Sequence, residues 1–600
     1  MSDRQMMAHD VRRRTAGIAD GRAHEPSHNN GDEARLRDPA TNAATYAGNF
    51  TKCLPHDDDG FVDDPGDYAD FVRAIDSAQE ADFAALRIGP GPYDRTGQPR
   101  RTFSGALRVR WKHPGYATKP TIRGWESPGA GSAFSIEGPD PQQPSMPPAP
   151  SFDSAEVTSE MGELYCQALC RDVAFADWED SGSIDAARAA LSTFAWFRED
   201  GTDELGGRSD QLVTSLARRR VLTPDAATPV ELTSLFRGDA PGERVGPYLS
   251  QFLVVGNTGV HRGDAAAPMT DGMISFGAQR IDQRVRVATP GKDYMTSWAE
   301  FLDVQNGAAL GGTETYVGGE YRPITTPRDM CTYVHHDALY QAYLNACLWM
   351  LGAGVPFDPG LPFQRDDHID KQSGFATFGG PHVLTLLTEV ATRALKTVRY
   401  QKFNVHRRLR PEAMGGWMHR RRNGSAEVAA KLADLEQMEV AIGASGIGDA
   451  LDDRQGVGNW LLPMAFAEGS PAHPSYGAGH ATVAGACVTI LKAWFDSGWL
   501  LKDATGADIA YVPHADGVSA PVDVSGALDG PLTLEGELNK LAANISIARN
   551  WAGVHWYSDD HESLRLGEQV ALGILEEQKV LFNENFSMTV PLLDGSTVRI

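Results

Sequence analysis

The 600 residues carry 42% hydrophobic and 22% charged side chains with twelve tryptophans, enough apolar surface for a large buried core in one large domain or several. A formal net charge of −24 and a pI near 5.1 oppose general binding to nucleic acid or to anionic membranes, so any anion site has to be local. No apolar run is long enough to cross a membrane, and the opening "MSDRQMMAHDVRRRTAG" has basic residues without an apolar signal core, so a soluble chain with no secretory address, cytoplasmic by default, is expected.

Residues 1–50 are polar and charged with little apolar periodicity and read as a loosely structured arm, available for packing on a neighbouring subunit. Residues 51–150 are mixed, broken by Gly and Pro, and end in "GPDPQQPSMPPAP" (138–150), whose prolines favour an extended linker. From 151 to 600 helical patterns dominate. "SAEVTSEMGELYCQALCRDV", "DALYQAYLNACLWMLGAG" (337–354) and "GGPHVLTLLTEVATRALKTVRYQKF" (379–403) repeat apolar residues at three and four, as do "GELNKLAANISIARNWAG" and "SDDHESLRLGEQVALGILEEQ" further on. Strand-like runs are few and short, so the expected class is all-α, helix packed on helix. The six cysteines form no Cys-x-x-Cys pair and are expected as reduced, small apolar core residues, with neither a zinc site nor a disulfide scaffold.

Three stretches put cations or imidazoles at helix ends. In "HPSYGAGHATVAGACVTILKAWF" (473–495), Val483, Cys487, Ile490, Leu491 and Trp494 recur at helical spacing, which starts a helix close to His480 with Gly477 and Gly479 just before or in its first turn. Unpaired N–H groups and the positive dipole end make such a turn an anion pocket, and glycine lets a ligand approach the backbone. In "KFNVHRRLRPEAMGGWMHRRRNG", Lys402 and Arg410 lie about 80° off register on a regular helix. Pro411 disfavours helical backbone at Arg410, so the helix is expected to end before it and Arg410 to turn inward independently. A guanidinium fork and an ammonium together suit an oxyanion with several oxygens. In "ARNWAGVHWYSDDHE", Gly553 offers a helix stop and Ser558 or Asp559 a cap for the next helix, leaving His555 in a tight interhelical loop after Arg549. Each stretch alone also reads as an ordinary helix end or a solvated basic face; together they point to an oxyanion site.

Lys402, seven residues, Arg410-Pro411, a Gly-x-Gly-His at a helix start and then Arg-x5-His resembles the vanadate site of the vanadium-dependent haloperoxidases, most closely the bromoperoxidases of marine red algae. "FTKCLPHDDDG", "EGPDPQQPSMPPAP", "LFRGDAPGERVGPYLSQF", "VRYQKFNVHRRLRPEA" and "NWLLPMAFAEGSPAHPSYGAGHATVAGACVTILKAWFDSG" carry the resemblance in order from about residue 50 to the C-terminus. It implies an all-α fold with two four-helix bundles in the catalytic core, a vanadate cofactor, and oxidation of halide, bromide foremost, by hydrogen peroxide to a hypohalous acid equivalent that halogenates small organic acceptors. It also implies a homo-oligomer, up to a dodecamer.

Residue by residue, the resemblance implies that Lys402, Arg410, Arg549 and the N–H of Gly479 bind the vanadate oxygens and that His555 binds vanadium. His480 would be the acid–base group, while His473 and Arg399 would influence halide oxidation. Ala478 stands where the family carries serine. Losing that hydroxyl removes a hydrogen bond to a charged group worth roughly 1.5–3 kcal/mol, or roughly 10- to 150-fold in cofactor affinity. Ser475 is too far along the loop to serve as an assumed replacement. The loop "PFQRDDHIDKQ" (362–372) resembles a structural calcium site, with Phe363 and Arg365 offering main-chain oxygens beside Asp367, Asp370 and Gln372. Asp337 is a candidate counter-ion for a site arginine or a helix cap. Two other functions fit the motifs: an acid phosphatase with His555 as nucleophile and His480 as proton donor, and a non-catalytic oxyanion-binding oligomer.

Overall fold

The computed structural model describes residues 3–24, 26–89, 112, 121–201, 219–260, 269–364 and 371–600. Residues 1–50, expected as a loose arm, carry α1 (Asp3–Asp20), a helix with no buried residue. The chain then turns inward: Ala47, Asn49 and Phe50 are buried, and Phe50 N donates to Arg407 O at 2.8 Å. The end of this segment is therefore part of the core wall beside the basic 402–410 stretch.

The long helices begin where side chains supply bonds that a first turn lacks. Ser154 Oγ accepts from Val157 N at 3.2 Å to open α2 (Ala155–Cys170). Thr326 and Asp329 form a reciprocal capping box at the start of α3 (Pro327–His336), with Pro327 in the first turn. There follow α4 (Gln341–Ala353), α5 (Gly380–Tyr400), α6 (Pro411–Asn423) and α7 (Gly479–Trp494). Thr533 Oγ1 accepts from Gly536 N at 3.0 Å to open α8 (Leu534–Trp551), and α9 (Tyr557–Gln578) closes the set.

The helix predicted to start near His480 is α7, and its residues from His480 to Trp494 are all buried. A helix apolar all round belongs in the centre of a bundle, and α7 is packed by α5, α8 and α9, which also touch one another in part. Its contact with α9 is backbone to backbone. A Cβ at Gly485 would overlap the Leu564 carbonyl, and one at Gly567 would overlap the Thr482 carbonyl. Around α2 a second group gathers: Gly182–Ser192, Glu436–Ala444, Ile447–Gln455 and the flank of α8.

The all-α expectation holds: strands among the described residues are short and make four separate antiparallel pairs. One pair, β1 (Val285–Ala288) with β2 (Tyr316–Arg322), lies against α3. All six cysteines are free and buried. No described helix is long and apolar enough to cross a membrane.

Because α7 also carries Gly479 and His480 in its first turn, its fit against α9 governs where those residues sit. Replacing Gly567 by alanine forces the two backbones apart, and overpacking of this kind costs about 1–3 kcal/mol. The expected outcome for Gly567→Ala is a lower urea midpoint with an unchanged m-value.

Candidate active site

The predicted helix end before Arg410 takes a particular form. After α5 the chain makes a π-helical turn, Gln401–His406, and Arg407 adopts the left-handed region at φ 44. Arg410 then sits extended at φ −85, ψ 154, just before Pro411 opens α6. This break lets Lys402 and Arg410 serve one loop from two directions. Lys402 Nζ donates to Pro474 O at 2.7 Å and Ser475 O at 3.0 Å; Arg410 Nε donates to His473 O at 2.9 Å. Arg410 also reaches the interhelical loop after α8, donating through Nη1 to Val554 O at 2.7 Å and meeting His555 Nε2 at 2.9 Å.

Gly553 takes φ +83 after α8, as its predicted role as a helix stop requires. The cap of α9 is Asp559, acting from its first turn: Oδ2 accepts from Trp556 N at 3.1 Å. Ser558 is not the cap; its hydroxyl accepts from Arg408 Nη1 at 2.9 Å. Asp559 Oδ2 also meets His555 Nδ1 at 2.8 Å and the Ser475 hydroxyl, while Oδ1 takes Arg408 Nη1 at 2.8 Å. An ionised carboxylate only accepts, and Arg410 only donates, so His555 carries its proton on Nδ1 and offers a lone pair at Nε2. Burial, then the Arg410 charge, holds the imidazole well below its ordinary range, so it is neutral at neutral pH. Burial would raise Asp559, but Arg408, His555 and Ser475 outweigh it and hold the carboxyl well below the carboxylate range.

His473 Nδ1 accepts from Arg410 Nη2 at 2.7 Å, and its Nε2 lies 3.7 Å from Glu126 Oε2. Burial, then Arg399, Lys402 and Arg410, push this imidazole well below its ordinary range too. His480 Nε2 pairs with Asp337 Oδ1 at 2.9 Å. Asp337, expected opposite an arginine or as a cap, occupies the C-cap position of α3, its N–H donating to Tyr333 O at 3.1 Å; its side chain goes to the imidazole, and only its field reaches Arg549. Arg549 Nη1 donates to Val334 O at 2.7 Å, at the end of α3.

These cations are buried without carboxylate partners of their own. Burial and then the charges of Arg410 and Arg399 push Lys402 well below the usual ammonium range. Burial brings Arg410 down to about 9 and Arg399 to about 10. Arg549 Nε and Arg399 Nη1 are buried with no hydrogen-bond partner among the described residues. A cluster of desolvated cations with unused donors is an anion site by construction. The first turn of α7 joins it: Gly479, His480 and Ala481 have N–H groups with no intrahelical acceptor, since the first bond of the helix is Thr482 N to Ala478 O at 3.0 Å. A Cβ on Gly479 would meet only Leu339 and Leu395, so the backbone there is open on one side to apolar side chains.

The hydroxyls nearest Ala478 are engaged by other groups of the protein. Ser475 is committed to Asp559, Ser563 Oγ accepts from Ala478 N at 2.7 Å, and Thr482 Oγ1 donates to Ala478 O at 2.8 Å. Sequence reasoning did not find Glu126, or the roles of Arg408 and Asp559 behind His555. The spacing of His555 and Asp559, one helical turn apart, was the available signal. Of the calcium loop, Arg365, Asp367 and Asp370 lie outside the described residues; Phe363 packs near Phe378 and Gln372 is exposed.

Comparison with known proteins gives the family. A family profile described as the VCPO second helical-bundle domain matches residues 453–584, which includes α7, α8, α9 and both histidine loops. The chain is 44% identical to the vanadium-dependent bromoperoxidase of Corallina pilulifera over 100% of its own length and 99% of the relative's. It is likewise 44% identical, with the same coverage, to that of Corallina officinalis. A solved structure, the homohexameric second vanadate-dependent bromoperoxidase (AnII) of Ascophyllum nodosum, superposes with a TM-score of 0.72 over 100% of this chain and 90% of that one, at 24% identity.

Removing the acceptor behind His555 tests the site. Asp559→Asn leaves the volume unchanged but takes away the charge that fixes the Nδ1 proton, and losses at such supporting positions run roughly 10- to 100-fold. Orthovanadate binding, followed by isothermal titration, is expected to weaken by that factor, with the circular dichroism spectrum retained.

Proposed function

The chain belongs to the vanadium-dependent bromoperoxidases, and we propose that it works as one through the residues that meet around α7. Its reaction is oxidation of halide by hydrogen peroxide, with vanadate as cofactor. In this reading Lys402, Arg410, Arg549 and the Gly479 N–H hold the vanadate oxygens, and His555 Nε2 binds the metal. The observation that carries it is the excess of buried positive charge beside a neutral imidazole whose lone pair is aimed by Asp559. A tetrahedral oxyanion that accepts one further ligand fits that donor set. Bound there, vanadate supplies a Lewis-acid centre that activates hydrogen peroxide toward halide, giving a hypohalous acid equivalent for organic acceptors.

The chain's own groups divide the remaining work. His480, held through Nε2 by Asp337, exchanges a proton at Nδ1. His473 orients Arg410 and, with the unpaired Arg399, is assigned to the halide side, where a guanidinium draws an anion. Ala478 leaves one oxyanion contact unmade. A homo-oligomer is proposed by analogy with the homohexameric relative, and α1, which has no buried residue, leaves surface for it. Calcium at the 362–372 loop rests on the oxygen-rich sequence alone.

The test is bromination of monochlorodimedone by the vanadate-free protein with peroxide and bromide, titrated with orthovanadate and then challenged with phosphate. Turnover that appears with vanadate and is suppressed by phosphate is expected. No turnover at saturating vanadate, with hydrolysis of a phosphate ester, moves the site to an acid phosphatase; silence in both assays leaves oxyanion binding alone. Ala478→Ser is expected to lower the half-saturating vanadate concentration by roughly 10- to 150-fold. The pH dependence has a definite sign. Lys402 is depressed in the free site and an oxyanion raises it, so binding takes up a proton and affinity falls as pH rises through the lowered free-site value of Lys402, below the usual ammonium range. Titrations in buffers of different ionisation enthalpy measure that uptake.

A further inference from the structure

We propose that Glu314, His335 and Glu468 form a second metal site, for one divalent transition-metal cation of the zinc or manganese kind, separate from the vanadate site. The donors come from distant segments: Glu314 precedes β2, His335 lies in the last turn of α3, and Glu468 is in the loop leading to His473. One ligand atom from each lies within 4.8 Å of the others. His335 Nε2 and Glu468 Oε1 are 2.7 Å apart. Ligands at roughly 2.0–2.2 Å from a dication sit about 3 Å from one another, so that pair is already spaced for coordination and Glu314 has a short distance to close.

Supporting contacts hold two of the donors in place. The His335 ring stacks on Phe466 with centroids 3.9 Å apart and planes 10° from parallel. Glu314 Oε1 accepts from Ala467 N at 3.2 Å and Oε2 from Gly312 N at 2.9 Å. The Glu314 and Glu468 carboxyls also meet side chain to side chain, a facing pair of acids that needs either a shared proton or a cation between them. Glu314 and His335 also line a cavity of about 10 Å³, room for one water-sized species beside them. The cations beside that cavity are engaged elsewhere: Arg328 with Asp172 and Asp293, and Lys292 over the Tyr294 ring. Two carboxylates and an imidazole in a tight space select against calcium, which takes six to eight oxygens, and favour a smaller cation that accepts nitrogen.

The site would bear on the vanadate pocket through α3. Val334 O, which holds Arg549, and Asp337, which holds His480, flank His335 in the chain, so pinning that imidazole fixes both contacts. Zinc binding itself does not depend on the haloperoxidase reading, and the two fail separately.

The experiment is isothermal titration of the full chain with zinc chloride in excess calcium, alongside Glu314→Gln and His335→Gln, and anomalous diffraction from crystals soaked in manganese chloride. One zinc per chain, weakened at least tenfold in each variant, with an anomalous peak among the three residues, is expected. No zinc binding, or binding by both variants as tight as by the wild type, overturns the proposal. If either variant fails to fold, the wild-type peak decides: a peak bonded to the three residues supports the site, and its absence at full soaking overturns it. Zinc binding without any vanadate-dependent bromination would sustain this site and count only against the reading of the other.

Discussion

Buried cations in this protein are treated in two ways, and the proposed function rests on the difference. Arg219, Arg220 and Arg408 are paired with Glu156, Glu163, Glu160 and Asp559 inside the helical core, so their charges are spent. Lys402, Arg410 and Arg549 are instead held by main-chain carbonyls of Pro474, Ser475, His473, Val554 and Val334. A carbonyl dipole fixes a donor in space without neutralising it. These donors have no counter-charge of their own, and an external anion would complete them and favour the protonated form that burial opposes at Lys402.

That constraint shapes the surrounding architecture. Carbonyls have to point at side chains instead of closing helical turns, so the contacts come from loops: the 473–478 stretch, the turn after Gly553 and the end of α3. The loops at 473–478 and after Gly553 adjoin two of the most buried helices of the bundle, α7 and α8. Asp559 joins the two treatments, since one of its oxygens serves the paired Arg408 and the other serves His555. The ionised acid thus sits behind the imidazole, where it fixes a tautomer without filling the anion pocket.

The overall charge of −24 and the local positive pocket are compatible because range separates them. At physiological ionic strength exposed charges fade over about 8 Å, whereas desolvated charges inside the bundle are screened far less. An incoming halide or oxyanion meets the local field at the site and little of the distant acidic surface.

Much of the site was legible because it is written in short-range chemistry. Pro411 forces Arg410 out of the helix, Gly553 permits the turn before His555, and the apolar spacing from Val483 to Trp494 places a helix start at His480; each is a local backbone or periodicity rule, and each is met. The order of the motifs, with their resemblance to vanadium-dependent haloperoxidases, was enough to name the cofactor class and an all-α fold. Tertiary structure alone decided which acid serves which base. Asp337 reaches His480 across 143 positions, Glu126 approaches His473 from the far side of the proline-rich stretch, and the π-helical turn aims Lys402 at carbonyls 72 and 73 residues away. Such pairings depend on how the helices pack. Spacing along a chain carries no record of which distant carboxylate or carbonyl packing will bring within 3 Å, and that step sets the protonation of the imidazoles and leaves the pocket positive.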